Sequence, residues 1–504
     1  MRISLSRGVS LAVLTSARTA AHHDEDLGCS ILGPASRPVR HAHAPLKRKI
    51  REMGEARAAD EAAALIRWLE RTPAYSALGD GRRRAGRLFL RESVLFPDVR
   101  RTPPRVLHVR KDTTGLDVPV EPTQWPSVHE LFATLARGAT RRELNVFRRV
   151  PFTRELVENL EAAGWLERAT SPDTDHQGTF VGHNTTLLRG KTGRVLVDPY
   201  FRPASVLDLP SYQPMQPRDV GPVDAVLITH SHGDHFHLGS LLQLPREVRI
   251  FVPPVERESL FSTDCAARLR QVGFENVEAL PWGASRTVGD VVVTAMPFYG
   301  EQPTSGEGVH GVFNIGTTWL VETPSLSAAF FADTGKDIRG DMLDVAKGLE
   351  GRADLLFCGV RGFKVRPIFF GFSTLDAYLV DVPKSALDTP QQLMADVDGA
   401  LDYARAMGVR ALVPCADGGA PWYWREGMGP KYPGFPGAPA EGASSRDENP
   451  DADPFPERVV IRGRARRQKV ELLRPGTHFE LSRGRVVSTA GVPFQWPFTG
   501  GPSA

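Results

Sequence analysis

The stretch THSHGDHFH, running from Thr229 to His237, constrains this chain more than any other. It places His230, His232, His235 and His237, with Asp234, directly after the apolar run VDAVLIT. A surface loop has little use for that density of imidazole; a metal site does. VDAVLIT reads as a buried strand, so the motif leaves its carboxyl end, where α/β sheets place their sites. Residues two apart share a face of extended chain, so His230 and His232 can hold one ion. Gly233 permits a turn that carries Asp234 and His235 toward a second ion. Imidazole mixed with carboxylate suits Zn, Fe or Mn. The bland alternative, a histidine-rich loop bonded to backbone, explains this spacing poorly.

The rest of the chain frames the motif. At 504 residues it exceeds one ordinary core and implies two or three domains. With 62 basic against 59 acidic residues, the net charge of +3 points to neither nucleic acid nor a membrane surface. Cys29, Cys265, Cys358 and Cys415 form no CxxC pair, and a reducing cytoplasm is the default location. Cys358 and Cys415 lie in apolar runs and read as core. Residues 1–48 read as a disordered leader, with a weak signal peptide or a start at Met53 as alternatives, and no stretch is long enough to span a bilayer. Residues 49–170 read as a smaller, mainly helical N-terminal domain, in which TRELVENLEAAGWLE predicts a helix from Thr153 to near Gly164. From Gly178 the texture becomes short β-rich runs separated by helical patterns, which argues α/β with a buried sheet. Residues 425–457 are a Pro/Gly-rich loop, the strand texture of ERVVIRGRARRQKVELL follows, and residues 486–504 form a tail.

HxHxDH is the signature of the metallo-β-lactamase fold superfamily, and the chain resembles it over roughly residues 175–485. GHNTTLL followed by VLVDPYF resembles the first hairpin of the lactonase and phospholipase D-like branch, and FFADTG resembles the later GDTG element. The resemblance implies an αββα sandwich with two metal ions at one edge and Asp333 as the bridging carboxylate. It also exposes departures. Where hydrolases of this fold carry a third histidine, AMPFYGEQP offers only Glu301, with His310 as a fallback; where the last histidine is expected, near VPCADGG, Asp417 is the nearest candidate. After Asp333 the only histidine is His478, which reads as part of a terminal strand turn. The implied set is His230, His232 and Glu301 on one ion, Asp234, His235 and Asp417 on the other, and Asp333 between them. PFYGE also resembles the dinuclear-iron β-hydroxylase branch, in which a Glu takes the place of that histidine and a separate domain precedes the metal domain.

Two functions follow as expectations. Oxygen-rich ligation moves preference from Zn toward Fe or Mn, so a di-iron oxygenase that hydroxylates a small or carrier-bound metabolite leads. The alternative is a zinc-dependent hydrolase of a lactone, amide or phosphodiester, working through a metal-bridging hydroxide. A degenerate site kept as a binding module is the third option. Asp234 and His183 are the candidate catalytic residues, His183 positioning substrate or water or else serving as a satisfied core histidine. Asp198 reads as a partner that fixes a histidine tautomer. Arg361 is a candidate clamp for a substrate anion, and Trp422 and Trp424 are candidate pocket walls; a solvated loop and ordinary core packing are the competing readings. The partners expected are the substrate and, as an option, a second copy of the chain in a homodimer.

Overall fold

The computed structural model describes residues 2–14, 103–111, 114–169, 176–201, 215–259, 262–300, 314–337, 339–360, 362, 364–365, 391–392, 394–416, 456–473 and 475–490. Two sheets face each other. The first has eight strands in the order Val277–Ala279, Arg249–Val252, Ala225–Leu227, Arg194–Val197, Thr185–Arg189, Gly178–Gly182, Thr477–Ser482 and Arg485–Ala490. Its first four are parallel and the rest antiparallel. The second has six, in the order Ser285–Val288, Val291–Met296, Thr318–Glu322, Ser327–Ala332, Leu355–Cys358 and Ala411–Pro414, the last three parallel.

Side chains alternate across each sheet, and that alternation builds the layers. Val195 and Val197 face the core between the sheets, while Leu196 faces outward. Likewise Trp319 and Val321 point inward and Leu320 outward, and Leu355 and Phe357 point inward and Leu356 outward. The outward residues of the second sheet are covered by the helices Met342–Gly348 and Val397–Met407. Those of the first are covered by Cys265–Gln271 and by the N-terminal region. The result is an αββα sandwich of mixed α/β class. Full burial of each inward Phe or Val stabilises it by about 1.5–3 kcal/mol.

The N-terminal region differs from its sequence expectation in three ways. Residues 2–14, expected within a disordered leader, form the strands Arg2–Leu5 and Val9–Leu14. Val9, Leu11 and Val13 alternate with Ser10 and Ala12, so the polar interruptions that weaken a signal peptide are the exposed side of a half-buried strand. The described part of residues 49–170 is mixed: the strands Val106–Lys111 and Thr114–Pro119 accompany the helices Trp125–Arg137, Arg141–Phe147 and Pro151–Ala162. The last of these begins at Pro151 rather than Thr153, because proline suits the first helical turn and Thr153 is drawn in to hydrogen-bond the Phe147 carbonyl. Finally, the described residues of this region do not keep a core of their own. Leu11, Leu107, Trp125 and Phe132 share one cluster with Leu196, Val226 and Ile250 of the first sheet.

Two further corrections fall at the other end. Pro456–Ala465 is a helix despite its β-branched residues; Arg462 and Arg466, four apart, reach Asp398 together from one face. Residues 486–490, expected in a tail, continue the strand Arg485–Ala490 along Thr477–Ser482. Of the loop 425–457, all but residues 456 and 457 lie outside the described residues.

Candidate metal centre

The site lies at the carboxyl ends of parallel strands from both sheets. Arg194–Val197 delivers Asp198, Ala225–Leu227 delivers the histidine motif, and Ser327–Ala332 delivers Asp333. Three ties pin the motif between the sheets. Trp319, wholly buried, donates its indole N–H to the Ile228 carbonyl at 3.1 Å. The Thr317 amide donates to the Thr229 carbonyl at 2.7 Å, and His230 bridges to Gly316. Gly316 is required there, since a Cβ would meet the Phe298 ring at 2.5 Å. Beyond it, His235 and Phe236 donate backbone N–H groups to the His232 carbonyl, closing the turn.

Two donor clusters result. His230, His232 and Asp333 form one, and His183, Asp234 and His235 form the other; within each, the donor atoms lie within 4.8 Å of one another. Asp333 stands between them, with Oδ2 3.9 Å from His230 Nε2 and 3.3 Å from His235 Nε2. Its Oδ1 is buried without a hydrogen-bond partner. A buried carboxylate oxygen left in that state is costly, and a cation relieves it. The donor set therefore fits a metal pair. His237, the last histidine of the motif, serves the fold instead: its Nδ1 accepts the Ser240 amide.

The second cluster rests on a polar network. Asp198 Oδ2 meets His235 Nδ1 at 2.7 Å, Thr229 Oγ1 at 2.5 Å and Asn184 Nδ2 at 2.6 Å, and Asp198 Oδ1 takes the Thr229 amide at 2.7 Å. The carboxylate holds the proton on Nδ1 and turns His235 Nε2, with its lone pair, toward the site, as the sequence suggests for Asp198. Asn184 also accepts from Cys415 Sγ at 3.2 Å.

Charge follows the same geometry. Burial, then the neighbouring His235 and His232 rings, hold the His230 pKa well below the imidazole range and keep it neutral. Burial works against charge on His235, but Asp333, Asp234 and Asp198 outweigh it and raise its pKa well above that range. Burial also works against ionised Asp234, but His235 and the hydrogen bond from His183 hold its pKa well below the carboxylate range. Without a cation, the surrounding carboxylates favour protonated His235, so metal binding there competes with a proton.

Backbone strain concentrates here. Of the six non-glycine residues at positive φ among the described residues, four are here: His183, Asp198, Ala332 and Ala416, at +56°, +39°, +49° and +54°. The first three deliver or precede a site carboxylate or imidazole, and the Ala416 amide donates to the His183 carbonyl. Pairing slips at Phe180/Gly182 and at Phe330/Ala332, immediately before His183 and Asp333. Bulges of this kind re-aim side chains beside active sites.

Of the residues singled out by sequence, the structure brings His230, His232, Asp234, His235, Asp333 and His183 together. Glu301, His310, Arg361, Asp417, Trp422 and Trp424 lie outside the described residues. His478 stands apart, stacked on His176 at 4.3 Å and paired with Thr179. Sequence reasoning missed Asn184 and Thr229 as supports; the triplet His183-Asn184-Thr185 beside a strand end was the available signal. The convergence of His183 on Asp234 was not legible, because it depends on a bulge and a left-handed residue.

Residues 193–415 match the family model described as the beta-lactamase superfamily domain. Among curated proteins, the 4-amino-L-phenylalanyl-[CmlP-peptidyl-carrier-protein] 3-hydroxylase of Streptomyces venezuelae is 29% identical over 188 residues, which are 36% of this chain and 33% of that protein. The chain thus spans about a third of the length of that relative. An uncharacterized protein of Mycobacterium tuberculosis is 28% identical over 166 residues, 31% of this chain and 42% of its own. The crystal structure of CmlA, a diiron beta-hydroxylase from Streptomyces venezuelae, superimposes on 97% of this chain and 99% of its own, with a TM-score of 0.56 at 18% identity. The fold is that of the metallo-β-lactamase superfamily, and it carries two donor clusters that could each hold a metal ion. Among the described residues, no helix is long and apolar enough to cross a membrane.

Proposed function

We propose that this chain is a dinuclear oxygenase that hydroxylates a small metabolite, held as a carrier-protein conjugate, with iron as its metal. The observation that carries this reading is the pair of donor clusters sharing Asp333. Glu301 in PFYGE supports it, because a carboxylate there favours iron over zinc. The 29% identity to a hydroxylase whose substrate rides on a peptidyl carrier protein supports the carrier-bound form. Two ferrous ions, when bound, supply the electrons and open positions that reduction of O₂ needs.

The chain's own residues do the rest. His230, kept neutral by burial, presents a lone pair without a proton to displace. Asp234 and Asp333 would offset the cationic charge of the metal pair in a buried site. Asp198, Asn184 and Thr229 hold His235 in one tautomer throughout. We assign Glu301 to the His230/His232 ion, Asp417 to the other, Asp234 and His183 to the catalytic centre, Arg361 to a substrate anion, and Trp422 and Trp424 to the pocket wall.

One observation favours a second reading. Four imidazoles, of His183, His230, His232 and His235, converge with two carboxylates, and a histidine-rich set suits zinc. A zinc pair would supply hydroxide at neutral pH for hydrolysis of a lactone, amide or phosphodiester. Metal analysis of protein expressed with both iron and zinc supplied separates the two. About two irons per chain is the expected result, with a visible ferric band as isolated and oxygen consumption once dithionite has reduced the irons and the excess reductant is removed. Two zincs, with neither band nor oxygen uptake, would sink the oxygenase reading and leave the hydrolase.

A further inference from the structure

The Asp234/His235 ion needs a donor that the histidine motif cannot give it. We infer that His183 is that donor, ligating the second ion through Nε2 alongside Asp234 and His235. The inference rests on the dinuclear reading above and is independent of whether oxygen or water reacts there.

Distance is the first ground. His183 Nε2 lies 3.2 Å from Asp234 Oδ2 and 3.2 Å from His235 Nε2. Ligand atoms about 2.1 Å from one ion in tetrahedral array stand about 3.4 Å apart. The three atoms are thus spaced as ligands of one centre are. A hydrogen-bonded core histidine needs one partner; this ring nitrogen is equally close to a carboxylate oxygen and to an imidazole nitrogen, and one cation at their centre would serve all three donors at once.

The backbone is the second ground. His183 is a non-glycine residue at φ +56°, placed after a slip in pairing at Phe180/Gly182. Its carbonyl is fixed by the Ala416 amide at the end of the strand Ala411–Pro414 in the opposite sheet. The strained turn therefore presents a buried imidazole to Asp234 and His235. The sequence supplies the third ground. After Asp333 the only histidine is His478, and it is engaged by Thr179 and stacked on His176.

The test uses cobalt(II) as the probe on the full chain. Wild type is expected to hold two cobalt ions. His183→Asn, chosen because Asn tolerates positive φ, is expected to hold one after dialysis. The chelator concentration that strips its second ion should fall by at least about tenfold. Two ions retained with an unchanged visible cobalt spectrum overturn the inference. Wild type that takes up fewer than two ions overturns the dinuclear reading instead, and so is told apart. Should the variant not fold, proton NMR of the cobalt wild type decides. Four exchangeable, hyperfine-shifted imidazole N–H signals are expected, one each from His183, His230, His232 and His235; three overturn the inference.

Discussion

The two donor clusters reach similar geometry by opposite routes. His230 and His232 come from one short segment, two residues apart, fixed by backbone ties to the second sheet. The other cluster draws on three distant segments: His183 after a bulge, Asp234 and His235 beyond the turn, and Asp198 holding His235 from behind. The first takes both its imidazoles from one local motif and completes itself with Asp333 of the second sheet. The second takes its imidazoles from two distant segments. A site can thus place one ion by sequence spacing and the other by tertiary structure, and the two should fail differently.

Asp333→Asn is the harshest test of that contrast, since it removes what the clusters share. Both ions should be lost and turnover with them, measured as metal per chain after gel filtration. Retention of one ion would place Asp333 in a single cluster. Next comes Trp319→Ala, which opens a cavity between the sheets and frees the Ile228 carbonyl. A cost of about 3–5 kcal/mol in urea unfolding is expected, with both clusters weakened alike.

The pH dependence probes their common floor. His129 Nε2 contacts the Leu244 carbonyl beneath the motif, and burial lowers its pKa from 6.5 to about 4. A histidine depressed in the folded state is bound to fewer protons there than when unfolded. Stability from this group is therefore full above pH 6.5 and lost as pH falls toward 4, by up to about 3 kcal/mol. The difference between wild type and His129→Gln in chemical unfolding should carry that slope; equal slopes would remove His129 from the floor.

The gentlest test is the most discriminating. Asp198→Asn keeps shape but loses the charge behind His235, and should weaken the second ion by about 10–100-fold. The ion of His230 and His232 should hold its affinity in the same titration. Equal loss in both would erase the contrast between the clusters.

The legibility of the molecule divides along the same line. HxHxDH and FFADTG are local, and they announced the fold, the motif histidines and Asp333. The αββα layering follows from the family resemblance; the short apolar β-rich runs by themselves say only α/β with a buried sheet. His183 was visible as a residue near the site but not as part of a cluster, since nothing in GHNTT encodes the register slip that turns it. Residues 2–14 were misjudged because their small serines look like breaks when no partner strand is in view. The helix at residues 456–465 reads as a strand for a related reason: the acidic partners of Arg462 and Arg466 lie some sixty positions earlier.

One contact has a consequence for how the chain is made. Gly239, just past the motif, lies so close to the strand Val9–Leu14 that a Cβ would stand 1.8 Å from the Leu11 carbonyl oxygen. That strand is synthesised more than two hundred residues before Gly239 exists. At ribosomal rates of about 5–20 residues per second, the apolar run VSLAVL waits roughly ten to fifty seconds for the surface it will cover. Its earlier partner, Val106–Lys111, protects one edge during that interval. The surface meant for Gly239 stays open to other chains until the motif has been made.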